Sequence, residues 1–420
     1  MSEWSEKKLG DIAETTSGGT PDRKNQAFFG GSIPWVKSGE LEDTFINDTK
    51  EKITPEGLKH SAAKLFPSGT LLMAMYGATV GKTALLKIEA ATNQAVCAIF
   101  PRAGEAGTDF LRYALVYQRP EILKLRYGGA QPNISQQVVR NLVVPLPPLP
   151  EQRKIAAVLG LVQRAIEEQE RLITLTTELK KALLHKLFTE GLRGEPQKET
   201  EIGPVPENWN VVQLGACCDV VSGSLSYTDF LKMASADAND TIPCMGVKVS
   251  DMNLPGNESR FVTANLTKRL SAELARQKLV PPNTVVFPKR GAAIATNKKR
   301  LTTTWTVLDP NLIGLCAKDS LDGEFLFHWS QTFDLRKITD PGPTPQLNKK
   351  DLVPVLIPLP KEIDEQREIA AAISCIDNKM TCHQRTHATL TDLFRTLLHQ
   401  LMTAQIRVHD IDVPTEAPSF

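Results

Sequence analysis

Two stretches of the chain carry the same hydrophobic stripe. Read at alternating four- and three-residue steps, the first runs Ile155, Leu159, Val162, Ile166, Gln169, Ile173, Thr176, Lys180, Leu183 and Leu187, seven of ten apolar. The second runs Ile369, Ile373, Ile376, Met380, His383, His387, Leu390, Phe394, Leu397 and Leu401, eight of ten apolar. A stripe held over about five heptads predicts a coiled-coil seam, and a helix of that length spans roughly 58 Å. Elsewhere the apolar residues fall in short runs between Gly, Pro and Asn turn signals. The runs 70–75 and 284–287 predict strands, and 110–119 and 325–332 predict short helices.

The two stripes belong to an internal repeat. Glu151-Gln152-Arg153 returns as Glu365-Gln366-Arg367, 214 residues later, and 14 of 39 positions are identical between 151–189 and 365–403 without a gap. Upstream, Leu142-Val143-Val144-Pro145-Leu146-Pro147 matches Val355-Leu356-Ile357-Pro358-Leu359-Pro360, and Trp4 with Leu9-Gly10 finds an echo in Trp209 with Leu214-Gly215. The chain therefore divides into a globular region 1–150, a helix 151–190, a Gly/Pro-rich linker 191–206, a second globular region 207–360, a second helix 361–405 and a flexible tail 406–420. Proline fixes φ and lacks a donor N–H, so 145–150 is expected to be non-helical and the first helix to start near Glu151. A short linker from one helix into the other half favours antiparallel packing. The predicted fold class is α/β: two mixed α/β domains separated by two long antiparallel coiled-coil helices, with a pseudo-two-fold repeat. Gln169, His383 and His387 then fall near the middle of the seam, as a wet patch or a register pin.

Composition narrows the chemistry. Apolar residues are 41% and charged residues 23%, an ordinary globular balance. No window approaches 18 consecutive apolar residues, and the first residues lack a basic, apolar leader, so a cytoplasmic location is expected. Lys+Arg 49 against Asp+Glu 48 gives +1, so any nucleic-acid role needs locally concentrated charge. The seven cysteines, 97, 217, 218, 244, 316, 375 and 382, include no CxxC pair, so no metal site is expected. Gly77-Ala78-Thr79-Val80-Gly81-Lys82-Thr83 has three residues between its glycines where a phosphate-binding loop needs four. Its repeat partner from Gly291 lacks Gly-Lys-Thr altogether, so a turn presenting Lys82 is the better reading. No catalytic constellation is visible.

Polar turns recur at matching places in both halves; each alone reads as a solvated surface loop, and together they suit nucleic-acid contact. Candidate contacts are Ser17, Gly18, Thr20, Lys37, Tyr76, Lys82, Gln131 and Asn133 in the first half. In the second they are Lys289, Arg290, Asn297, Lys298, Lys299, Arg300 and Gln346. Such residues suit phosphate contact and base reading.

These features carry a resemblance. Pro147-Pro148-Leu149-Pro150-Glu151-Gln152-Arg153-Lys154-Ile155-Ala156, its second copy Pro358-Leu359-Pro360 and Glu365-Gln366-Arg367-Glu368-Ile369-Ala370, and the tryptophans near the start of each half together resemble the DNA-specificity subunit of type I restriction–modification systems. The second copy has one inserted residue in 361–364. The resemblance implies two target-recognition domains, each reading half of an asymmetric bipartite site in double-stranded DNA. The helices would hold the halves apart and dock two methyltransferase subunits, and restriction/translocase subunits would join them. S-adenosylmethionine, ATP and Mg²⁺ would sit on those partners and not on this non-catalytic chain. A stand-alone DNA-binding regulator, a structural coiled-coil adaptor and a nucleotide hydrolase using 77–83 are the competing classes.

Overall fold

The computed structural model describes residues 4–126, 133–233, 241–339 and 345–408. The chain forms two compact units. One joins the chain up to Glu170 with the chain from Arg385; the other is Arg171–Gln384. Each contains one globular region and a part of both long helices, Leu149–Glu190 and Ile363–Met402.

The first unit is built on a five-stranded sheet of β1 (Ala13–Ser17), β2 (Phe45–Ile46), β3 (Leu71–Ala74), β4 (Thr83–Leu86) and β5 (Val96–Pro101), in the order β1-β5-β3-β4-β2. Only β2 and β4 pair in parallel. The second unit repeats this with β6 (Cys218–Ser222), β7 (Arg260–Phe261), β8 (Val285–Pro288), β9 (Arg300–Thr302) and β10 (Leu312–Ala317), in the order β6-β10-β8-β9-β7. Again one pair, β7 with β9, is parallel.

Strands β3 and β4 are buried throughout because their side chains alternate between two covered faces of the sheet. Leu71, Met73 and Leu85 pack with Phe110 and Leu111 of the helix Thr108–Lys124, whereas Leu72, Ala74, Ala84 and Leu86 pack with Val36 and Leu41. The second unit splits likewise: Val285 and Phe287 join Phe325 and Leu326, and Val286 joins Phe261 and Leu312.

The Glu-Gln pair of the repeated element fastens each domain to its helix. Trp4 Nε1 donates to Glu151 Oε2 at 3.2 Å, and Trp209 Nε1 donates to Glu365 Oε1 at 2.9 Å. Gln152 is buried, accepts from Gly107 N at 2.9 Å and donates to the carbonyls of Pro147 (2.8 Å) and Glu105 (3.2 Å). Gln366 does the same with Asp322 N at 2.8 Å and with Pro360 and Ser320 O, both at 3.1 Å. One amide thus satisfies three backbone groups that burial would otherwise leave unpaired.

In both units the long helices run antiparallel. In the first, Ile155, Val158 and Leu159 share a core with Leu398, Leu401 and Met402, while Glu170, further along, accepts from His387 Nε2 at 3.1 Å. In the second, Lys180 meets Asp377 at 2.6 Å, and Leu184, Leu187 and Phe188 pack with Ile369, Ala370 and Ile373. None of the twenty stripe positions is exposed. Gln169 and His383 are half-buried, as is His387.

Three sequence expectations need correction. The first helix begins at Leu149, so Pro150 lies in its first turn, where the missing N–H has no acceptor to lose. The linker holds a hairpin, Gln197–Thr200 against Gly203–Pro206, tied down by Lys198 Nζ on the carbonyls of Glu207 and Trp209. The tail is anchored at its start: Arg407 Nη1 meets Glu151 Oε1 at 3.0 Å, and Val408 is buried. The remainder, 409–420, lies outside the described residues.

The second unit buries a histidine. His328 has no exposed side chain, and its Nε2 lies 2.9 Å from Ser374 Oγ. Burial above all, then Lys180 and Arg260, pushes its pKa down to about 3. Asp377 lies 3.9 Å from Nδ1, too far to offset them. The unfolded chain takes up the proton near pH 6.5, so this contribution to stability is complete above that value. It is lost as pH falls from there toward 3, by about 1.4 kcal/mol per pH unit. Denaturant midpoints between pH 7 and 4.5 should show a shallower acid decline in His328→Gln than in the wild type, whatever the variant's stability at pH 7.

Candidate nucleic-acid interface

The polar turn after β1 is set by close backbone approach. Gly19 N donates to Thr92 O at 3.0 Å, and a Cβ on Gly18 would lie 2.0 Å from the same oxygen. After β6, Gly223 N donates to Leu312 O at 2.9 Å, and a Cβ there would lie 2.0 Å from Asp309 O. Only glycine fits either position. Each turn thus follows the serine ending its strand, Ser17 or Ser222.

Just beyond β3 and β8 the two units repeat a second device. Tyr76 forms an antiparallel bridge with Asn133, and Arg290 forms one with Gln346. The flanking bonds correspond: Ile134 N to Met75 O at 2.9 Å, and Leu347 N to Lys289 O at 2.9 Å. Tyr76 is 40% exposed, and Arg290 and Gln346 are exposed too. Asn133 Oδ1 is shielded from solvent without a donor. In the second unit Lys289 Nζ also reaches Ser222 Oγ at 3.2 Å, so Ser222, Lys289, Arg290 and Gln346 form one polar group. Ser222 was not among the expected contacts; the match of β6 to β1 is the signal that finds it.

Other expected contacts are engaged within the fold. Thr20 hydrogen-bonds Gln94, Lys82 pairs with Glu42, and Lys37 Nζ meets Glu51 at 2.5 Å. Lys37, with Arg23, holds the Glu51 carboxyl below its usual range against the opposing effect of burial. The expected basic triad of the second half is largely internal. Lys299 is buried, donates to Phe333 O at 2.6 Å and Asn297 Oδ1 at 3.0 Å, and its pKa is pushed down to about 8 by burial. Arg300 is buried as part of β9 and donates to the carbonyls of Lys299 (2.9 Å) and Met252 (3.0 Å). Asn297, at φ +52°, accepts from Leu335 N at 2.9 Å, and Lys298 hydrogen-bonds Asn253. These groups shape the domain, so Lys299 and Arg300 of the expected phosphate-contacting run 298–300 are engaged inside it. Gln131 lies outside the described residues.

Among the described residues no cluster of three or more His, Cys, Asp or Glu side chains is placed to hold a metal, and no helix is long and apolar enough to cross a membrane. The 77–81 segment is a turn, with Gly77 and Gly81 at φ +84° and +77°, and leads into β4 instead of a phosphate-capping helix.

Comparison with known proteins agrees with this duplicated architecture. The family model described as "Type I restriction modification DNA specificity domain" matches twice, over residues 1–177 and 206–392. The MjaIX specificity subunit of Methanocaldococcus jannaschii is 27% identical over 304 residues, 70% of this chain and 67% of the relative. The putative MjaX specificity subunit of the same organism is 23% identical over 97% of this chain and 94% of the relative. The solved S subunit of a type I restriction–modification system from M. genitalium shares the fold with a TM-score of 0.63, at 15% identity, covering 95% of this chain and 96% of that one.

Proposed function

Since the chain belongs to the type I restriction–modification DNA-specificity family, we propose that it is the subunit that reads a bipartite, asymmetric DNA site, one half with each globular domain. The observation that carries this reading is the repeated device after β3 and β8. Two chemically different pairs, Tyr76 with Asn133 and Arg290 with Gln346, stand at one topological position in two copies of one domain. A common scaffold with exchanged polar tips is what reading two unlike half-sites requires. Arg suits bidentate contact with guanine, and Gln with adenine. Lys289 supplies phosphate contact beside them.

In this reading the chain performs no catalysis. Methyltransferase and restriction subunits dock on it and carry S-adenosylmethionine, ATP and Mg²⁺. A stand-alone regulator would bind its site equally well without them.

The test is the methylated motif in cells that carry this chain with its partner methyltransferase. Arg290→Ala and Gln346→Ala should each relax or abolish one half of the motif and leave the other half intact. In vitro the cost should be about 1–3 kcal/mol, a loss of roughly fivefold to 150-fold in affinity for the cognate site. Tyr76→Ala should act on the opposite half. An unaltered motif in both sets would refute the assignment.

Docking has its own expectation. Leu179 and Leu393, at equivalent positions of the two helices, lie outside the seam and are 57% and 43% exposed. Apolar groups left outside a satisfied core suit a protein interface. Leu179→Glu and Leu393→Glu together should weaken methyltransferase association at least tenfold in a pull-down titration, with unchanged circular dichroism.

A further inference from the structure

The first unit contains a pocket of about 490 Å³ between the helix Thr108–Lys124 and the first turns of the long helix. Four cations, Lys87, Arg112, Arg153 and Arg164, line it against a single carboxylate, Asp109. Its size falls in the usual range for ligand sites. Arg112 is only 2% exposed, yet its charge meets no carboxylate. Nη1 donates to Asp43 O at 3.0 Å, Nη2 to the Tyr113 hydroxyl at 2.7 Å, and the guanidinium lies over the rings of Phe45 and Tyr113. Its Nε is buried without an acceptor. A buried cation held only by neutral groups is costly to keep.

The second copy of the domain shows that the fold does not demand this arrangement. Asp109-Phe110-Leu111-Arg112 corresponds to Glu324-Phe325-Leu326-Phe327, so a plain aromatic side chain fills the place of Arg112. Glu324 is taken by Arg260, with Nη2 at 2.7 Å from Oε2. Arg153 corresponds to Arg367, which meets Asp364 at 3.0 Å and Asp322 at 3.9 Å. In the first copy those two acids are replaced by Pro150 and Gly107, and Asn378 is replaced by Arg164. At these positions the first copy carries two cations that its duplicate lacks, Arg112 and Arg164, and lacks the two acids that neutralise Arg367.

We infer that the pocket binds an oxyanion, a carboxylate or phosphate group, with Arg112 at its floor and Arg153 and Arg164 at its rim. The group comes either from a free small molecule or from an acidic side chain of a docked protein subunit. This goes beyond the DNA-reading role and does not depend on the residues assigned to it.

Isothermal titration of the full chain with inorganic phosphate, pyrophosphate and glutarate, at low ionic strength, tests the first source. The expected result is one site, weakened at least tenfold in the double variant Arg153→Gln/Arg164→Gln, whose changes lie on the surface and spare the core. Arg112→Phe, the residue used by the second copy, should abolish binding; should it misfold, the rim variant still decides. Association with the methyltransferase subunit tests the second source: a loss of at least tenfold in the rim variant, without any small-anion binding to the wild type, assigns the oxyanion to the partner. The inference is overturned if neither measurement changes, or if only DNA affinity falls. A wild-type chain that binds no methyltransferase would count against the docking reading alone, and the titration would then decide the pocket by itself.

Discussion

Inserting one heptad into each long helix is expected to widen the gap in the methylated DNA motif by at most about three base pairs, with both half-sites unchanged. The stripes repeat every seven residues, so a seven-residue insertion returns each seam residue to its face. The added rise is about 10.5 Å, against about 3.4 Å per base pair along the duplex. Bending of the DNA or tilting of a domain can absorb part of that increment, which makes three an upper bound. Insertions of two or five residues serve as the contrast. They rotate the stripe off its face and should cost stability before they change the motif. New bases in either half-site would sink the modular reading, and an unchanged gap in an active complex would sink the spacer.

Trp209→Ala should be the most damaging single change in the second unit, at about 3–5 kcal/mol. The ring is fully buried, packs edge-on to Phe325 and donates to Glu365 at the start of the long helix. Truncation leaves a cavity and removes the indole donor from the Glu365 carboxylate. Trp209→Phe keeps most of the packing and loses the hydrogen bond, so it should cost distinctly less. Urea unfolding at neutral pH measures both; equal and small losses would mean that the tryptophan is not what fastens domain to helix.

The long helices and the duplication were legible because both are local in sequence. A stripe is visible within five heptads, and a repeat needs only an offset. The role of Glu151-Gln152 and Glu365-Gln366 was not legible, although the motif itself stood out, because its partners Trp4, Gly107, Trp209 and Asp322 are 44 or more residues away. The run Lys298-Lys299-Arg300 misled for a related reason. Sequence gives charge but not burial, and a β-strand sends successive side chains to opposite faces. Carbonyl oxygens of Phe333 and Met252 then receive charges that looked destined for solvent. In the linker, the glycines and prolines gave no sign of the hairpin, in which Gly203 at φ +97° begins a paired strand. Tyr76, Asn133, Arg290 and Gln346 could be named from their turns, but the bridges that pair them come only from the fold.

The proline-rich run before each long helix looks like a place to bend, but a buried glutamine ties each one down. Gln152 and Gln366 each hold three backbone groups on both sides of that joint. Swivelling a domain against its helix would break all three at once, with no water at hand to replace them. Each domain and the first turns of its helix are therefore expected to move as one piece.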